Sequence, residues 1–155
     1  FHVGTFDKAI PAAAKLGDEF DINVGIHCHG GYMFGGSPDV LRHLLDLGGP
    51  RIGVNIDTAW CMQIGPWGGD PIKWVNETFK GRIYGAHIKD FTFDRRGMWT
   101  DVVVGTGNLD LPGFLQALYA NQFGGMVVLE YEGDENNPVP ALKECVQKVR
   151  AADKR

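Results

Sequence analysis

The sequence has little sulfur: three cysteines in 155 residues, Cys28, Cys61 and Cys145, with no Cys-x-x-Cys pair. That excludes a disulfide scaffold and a thiolate metal cluster, and suits a reducing, cytoplasmic compartment. No apolar run approaches the roughly 20 residues of a membrane-spanning helix, and no stretch looks like a signal peptide. Basic charge is also scarce. Fifteen Lys and Arg stand against 19 Asp and Glu, a net charge of −4, which argues against nucleic acid as a partner. Linkers and low-complexity segments are missing too. What the chain does have is 22 glycines, a sign of many turns, and turns are where sites are built. Its 44% hydrophobic and 22% charged composition is that of an ordinary globular protein. The length suits one domain, residues 1–155, able to bury about 68–70% of its unfolded surface.

Apolar runs and helix signals alternate along the chain. Phe1-His2-Val3-Gly4 reads as the tail of a strand, so a fragment or a processed product is expected. Asp7 is a candidate cap for a helix over 8–20, with Pro11 in its first turn. Residues 22–29 read as a strand. Ser37-Pro38 opens a helix that Gly48 stops, and Asp70-Pro71 repeats the device before a helix ending at Gly81. Strands are expected over 51–60, 82–91 and 126–133. A long loop is expected over 92–108, a helix capped by Asp110 follows it, and a last helix covers 139–152. Strands about 30 residues apart with helices between them predict a parallel α/β fold.

In such folds ligands bind beyond the C-terminal ends of the strands. There the sequence places His27-Cys28-His29, Asp57-Thr58-Ala59-Trp60, His87-Ile88-Lys89-Asp90 and Glu130-Tyr131-Glu132. Any one of these residues alone is adequately explained as a satisfied polar group at a strand end. Four strands each delivering a titratable group to the same end are harder to explain as packing, because unpaired buried charge is costly. The mixture of imidazole and carboxylate in His27, Asp57, His87 and Glu130 suits a divalent cation: Mn²⁺, Co²⁺, Zn²⁺ or Mg²⁺. Glu132 is a rival ligand if the strand end is shifted. Lys89 and Asp90 could pair locally or orient His87. Trp60, Trp67, Phe34 and Trp99 could face a sugar ring or simply pack in their loops. The GTGN at 105–108 lacks the context of a dinucleotide site.

The motifs VNIDTAW around Asp57, GAHIKDF around His87, VGTGNLDLPGFLQAL and VVLEYEG around Glu130 resemble, in order and spacing, the C-terminal part of the xylose isomerase-like (β/α)₈ barrels, the sugar phosphate isomerase/epimerase superfamily. The resemblance covers nearly the whole chain. It implies a partial (β/α)₈ (TIM) barrel, a half-barrel made of about the last four βα units. It also implies a divalent metal held by residues from four successive strands, with Asp57, His87 and Glu130 in the last three positions. At the first position the family usually shows Glu-Asn-His, and this chain has His27-Cys28-His29. Trp60 stands where the family often has histidine.

The implied function is a metal-dependent sugar isomerase or epimerase that removes a proton alpha to a carbonyl and passes through an enediolate. Glu130 would serve as ligand and base, His27 or His29 as the second acid/base, and Lys89 and Trp60 as substrate contacts. A lyase or dehydratase of the same superfamily is the alternative, as is a non-catalytic barrel fragment. An abasic-site endonuclease fits less well, since that class wants a multi-zinc cluster and a basic groove. A whole barrel takes about 250 residues, so four or five strands leave both sheet edges and the interior face uncovered. Association with a second copy, or with a complementing half-barrel, is therefore expected.

Overall fold

The computed structural model describes residues 3–30 and 36–153. A short 3₁₀ turn (Val3–Thr5) leads into α1 (Phe6–Glu19), followed by β1 (Val24–His27), α2 (Pro38–Gly48), β2 (Ile52–Asp57) and α3 (Thr58–Gln63). Next come α4 (Pro71–Lys73, continued as a π turn over Trp74–Thr78), β3 (Ile83–Ile88), β4 (Asp90–Phe93) and β5 (Trp99–Val102). The chain ends with α5 (Leu111–Ala120), β6 (Met126–Leu129) and α6 (Val139–Ala152). Three helices start on caps legible in the sequence. Ser37 Oγ accepts from Val40 N at 3.5 Å, Asp70 Oδ1 from Lys73 N at 3.0 Å, and Asp110 Oδ1 from Gly113 N at 3.0 Å. Each is followed by a proline in the first turn, where the missing N–H costs nothing.

The structure corrects four sequence expectations. Val3 and Gly4 belong to a helical turn that runs straight into α1, not to a strand tail; Phe1 and His2 lie outside the described residues. Asp7 sits in the first turn of α1, where the helix dipole favours an anion, and Thr5 occupies the cap position. The strand expected over 51–60 stops at Asp57, because the Asp57 side chain caps a new helix, α3. The loop expected over 92–108 contains an antiparallel hairpin, β4–β5, with Phe91 opposite Asp101 and Phe93 opposite Trp99.

Four strands form one parallel sheet in the order β1-β2-β3-β6. Side chains alternate between its faces. Ile52, Val54, Ile56, Ala86 and Ile88 point into the helix layer and are fully or almost fully buried with Leu41, Trp74, Phe114 and Cys145. The opposite, concave face carries Gly25 and His27, Gly53, Asn55 and Asp57, then Gly85 and His87. It is therefore polar and glycine-rich over its first three strands. Only β6 adds exposed apolar residues there, with Met126 74% and Val128 38% accessible. Both sheet edges, β1 and β6, are unpaired among the described residues.

Candidate metal centre

Register brings the polar strand ends together. Asp57 lies opposite His87 across β2 and β3. His27 lies opposite Asn55, one same-face position before Asp57. His87 lies opposite Val128, one same-face position before Glu130, and Glu130 N continues the ladder by donating to Ile88 O at 3.1 Å. One ligand atom from each of His27, Asp57, His87 and Glu130 lies within 4.8 Å of the others. Two donors on opposite sides of a zinc-sized ion at bond lengths of about 2.0–2.2 Å stand roughly 4.2 Å apart, so this spacing is of the right order.

Asp57 is the clearest member. Its side chain is inaccessible to solvent. Oδ1 accepts from Trp60 N at 2.9 Å and caps α3, while Oδ2 is buried with no hydrogen-bond partner. His27 Nε2 stands 3.6 Å from Oδ2, close enough for ion pairing but too long for a hydrogen bond. Interaction with Asp57 holds His27 above the ordinary imidazole range, although burial pulls the other way. A buried carboxylate oxygen with no donor costs free energy, and a cation would satisfy it. The two imidazoles and two carboxylates therefore fit a divalent metal ion.

The floor of the site is ionic. His87 Nδ1 donates to Glu130 Oε2 at 2.5 Å. The fully buried Lys89 ammonium donates to Glu130 Oε1 at 2.8 Å and to Glu132 Oε2, and lies 3.4 Å from Asp101 Oδ2. Partial burial alone would raise the Glu130 carboxyl, but the bonds to Lys89 and His87 outweigh it and hold it below the usual range. Burial alone would lower Lys89, yet Glu130 and Glu132 hold it above its usual value. Asp101 is pushed up by burial, against the pull of Lys89. Asp101 is hidden in the sequence because its strand reads as loop: Trp99-Thr100-Asp101-Val102 carries no alternation of exposed and buried positions.

Asp90 does not pair with Lys89. Its buried carboxylate accepts from Gly105 N and Gly107 N through Oδ2 and from Leu109 N through Oδ1, all at 2.9 Å. This explains the glycines of the GTGN segment. Gly105 has φ +80°, and a Cβ on Gly107 would sit 2.5 Å from Asp90 Oδ1. Thr58 Oγ1 donates to Lys89 O at 2.6 Å and accepts from Lys89 N at 3.0 Å, locking β2 to the His87–Asp90 segment.

An aromatic wall flanks the centre. The exposed His29 ring stacks on Trp60 with centroids 4.1 Å apart. Trp60 packs edge-on against Phe91 and Trp99, and Phe91 stacks on Trp99 at 4.8 Å. Trp60 is itself buried, at 8% accessibility, so its faces are largely taken by protein. Glu132 is 62% exposed and stands outside the four-residue cluster, tied to Lys89. Cys28 is buried between the two histidines. It accepts from Asp57 N at 3.0 Å through sulfur, and burial pushes its thiol well above the ordinary range. Phe34 and the Trp67 side chain lie outside the described residues. A surface depression of about 360 Å³, lined by Asn23, Tyr84, Gln122 and Phe123, lies at the opposite end of the strands and contains none of these groups.

The profile of the xylose isomerase-like TIM barrel family matches residues 4–152. The chain belongs to this family. No curated protein matches it by sequence. Solved structures do match in fold. The 3-keto-D-glucoside 4-epimerase of E. coli superposes with a TM-score of 0.72 at 15% identity, over 94% of this chain and 52% of that one. A xylose isomerase-like TIM barrel protein from Mycobacterium smegmatis, in complex with magnesium, gives 0.72 at 18% identity over 98% and 53%. Mannonate dehydratase from Streptococcus suis gives 0.69 at 15% identity over 97% and 50%. The chain thus spans about half the length of these structures. Its four parallel strands make a partial xylose isomerase-like barrel, and the candidate centre lies at the C-terminal strand ends where such barrels carry their sites.

Proposed function

We propose that this chain carries the metal centre of a sugar isomerase or epimerase that removes a proton alpha to a carbonyl and passes through an enediolate. The observation that carries the reading is the convergence of His27, Asp57, His87 and Glu130 around the buried Asp57 Oδ2, which accepts no hydrogen bond. A divalent cation bound there would polarise a substrate carbonyl and stabilise the developing oxyanion. The other tasks fall to the chain itself. Asp57 and His87 hold fixed positions through the α3 cap and the β2–β3 register. Glu130 has both oxygens engaged, with His87 and with Lys89, so it acts better as a ligand than as a mobile base. Proton transfer then falls to His29, which is exposed and held in orientation by Trp60. Lys89 works from beneath as a positioning group, and substrate contact shifts to the exposed rim formed by His29 and Trp99.

A dehydratase of the same superfamily would begin with the same proton removal and then expel a β-hydroxyl group. Incubation of the metal-loaded chain with ketoses and sugar acids in D₂O, followed by NMR, separates the two. Deuterium at the alpha carbon with the hydroxyls retained supports isomerisation or epimerisation, and a 3-deoxy-2-keto product supports dehydration. No exchange with any substrate would contradict both. Glu130→Gln is expected to abolish exchange while leaving the far-UV circular dichroism unchanged. His29→Asn is expected to slow exchange by about 10²–10⁴-fold with metal binding intact.

The β1 and β6 edges, unpaired among the described residues, support association with a second copy. Two such sheets supply the eight parallel strands of a closed barrel, each β6 running beside its partner's β1. The three reduced, buried cysteines support a reducing compartment such as the cytoplasm.

A further inference from the structure

Two features of the centre bear on which ion it holds. The first is His27, which puts a second imidazole where the resemblance leads one to expect a carboxylate. The second is Lys89, whose ammonium takes Glu130 Oε1 at 2.8 Å and leaves Oε2, the oxygen beside His87 Nδ1, for the cluster. Glu130 is thereby confined to one oxygen. Asp57 is confined in the same way, because its Oδ1 is committed to Trp60 N at 2.9 Å. The chain therefore offers two nitrogens and two single carboxylate oxygens. The cation on Lys89 also offsets part of the carboxylate charge beside the centre.

Hard and borderline ions respond differently to such a set. Magnesium demands near-octahedral oxygen coordination, dehydrates reluctantly and depends on carboxylate charge. Zinc and cobalt accept imidazole readily, and zinc is content with four donors. We infer that this centre selects cobalt or zinc over magnesium, and that His27 is the residue that sets the selection. The inference rests on the metal-centre reading given above.

The test uses the whole chain, stripped with chelator, and calorimetric titration with CoCl₂ or MgCl₂ alone. Wild type is expected to bind one cobalt per chain, with a visible d–d absorption band, far more tightly than magnesium. His27→Glu restores a carboxylate and is expected to lower the cobalt-to-magnesium affinity ratio by about tenfold or more. His27→Gln removes the imidazole without adding charge; it is expected to weaken cobalt by a similar factor, leave magnesium unchanged, and carry the test if the glutamate variant does not fold. A ratio near one in wild type, or a ratio that neither substitution moves, overturns the inference and leaves the metal centre standing. Failure of wild type to bind either ion overturns both the inference and the metal-centre reading.

Discussion

Asp57 does two jobs with one carboxylate. Oδ1 caps α3, and Oδ2 is buried without a donor. Asparagine is as good a cap as aspartate but carries no charge. Asp57→Asn should therefore lose metal affinity by at least about tenfold while keeping the α3 cap. Asp57→Ala should lose the cap as well, at a cost of about 0.5–2 kcal/mol. Thermal melts with and without metal check both. Lys89 gives the opposite contrast. Removing one partner of a buried ion pair costs about 3–5 kcal/mol, and Lys89→Met should fall near the lower end because Glu130 and Glu132 keep access to water. Glu132→Gln should cost less than about 1 kcal/mol, since that carboxylate is 62% exposed. Urea denaturation distinguishes them, and equal losses would contradict the placement of Lys89 at the centre of the ionic floor. Native thiols give a third check: Cys28, Cys61 and Cys145 are all buried, and burial raises each thiol, so a disulfide reagent should label none quickly until the chain is unfolded.

At the scale of elements, the hairpin and the loop after it depend on Asp90. Its carboxylate satisfies three backbone amides in a buried place, and Asp90→Ala would orphan all three. Each hydrogen bond to a charged group is worth about 1.5–3 kcal/mol, so a loss of at least about 3 kcal/mol is expected, together with faster hydrogen exchange at Gly105, Gly107 and Leu109. Unchanged exchange there would remove Asp90 from that role. The same region shows where the sequence was legible and where it was not. Ser37-Pro38, Asp70-Pro71 and Asp110 announced their helices because a cap followed by proline is a local signal. Asp57 misled because its cap has no proline after it, and Thr-Ala-Trp can extend a strand as readily as start a helix. The hairpin was missed because charged Asp94-Arg95-Arg96-Gly97 breaks the apolar pattern. Yet that stretch is the turn itself: Asp94 Oδ1 accepts from Arg96 N at 2.7 Å and Met98 N at 2.9 Å, and Gly97 has φ +77°. The four cluster residues were legible because parallel strands end on one side. Asp101 and the three-carboxylate grip on Lys89 were not, since they arise from a tertiary meeting of β5 with the segment after β6.

At the scale of the molecule, the sheet carries a polar, glycine-rich concave face and two edges that are unpaired among the described residues. Apolar residues flank both edges, with Phe20 63% and Ile22 53% accessible beside β1 and Met126 74% accessible on β6. Pairing of two copies through these edges should appear in light scattering as a dimer that Met126→Lys on β6 weakens, since an edge charge opposes strand pairing. A monomer at all concentrations would contradict self-association without touching the metal centre. That centre is the claim on which the functional account stands, and elemental analysis tests it most directly. The chelator-stripped chain, dialysed against manganese, cobalt or zinc, should retain one ion per chain, and Asp57→Asn should retain none. A wild-type chain that retains no ion, or an Asp57→Asn chain that retains as much as wild type, would contradict it.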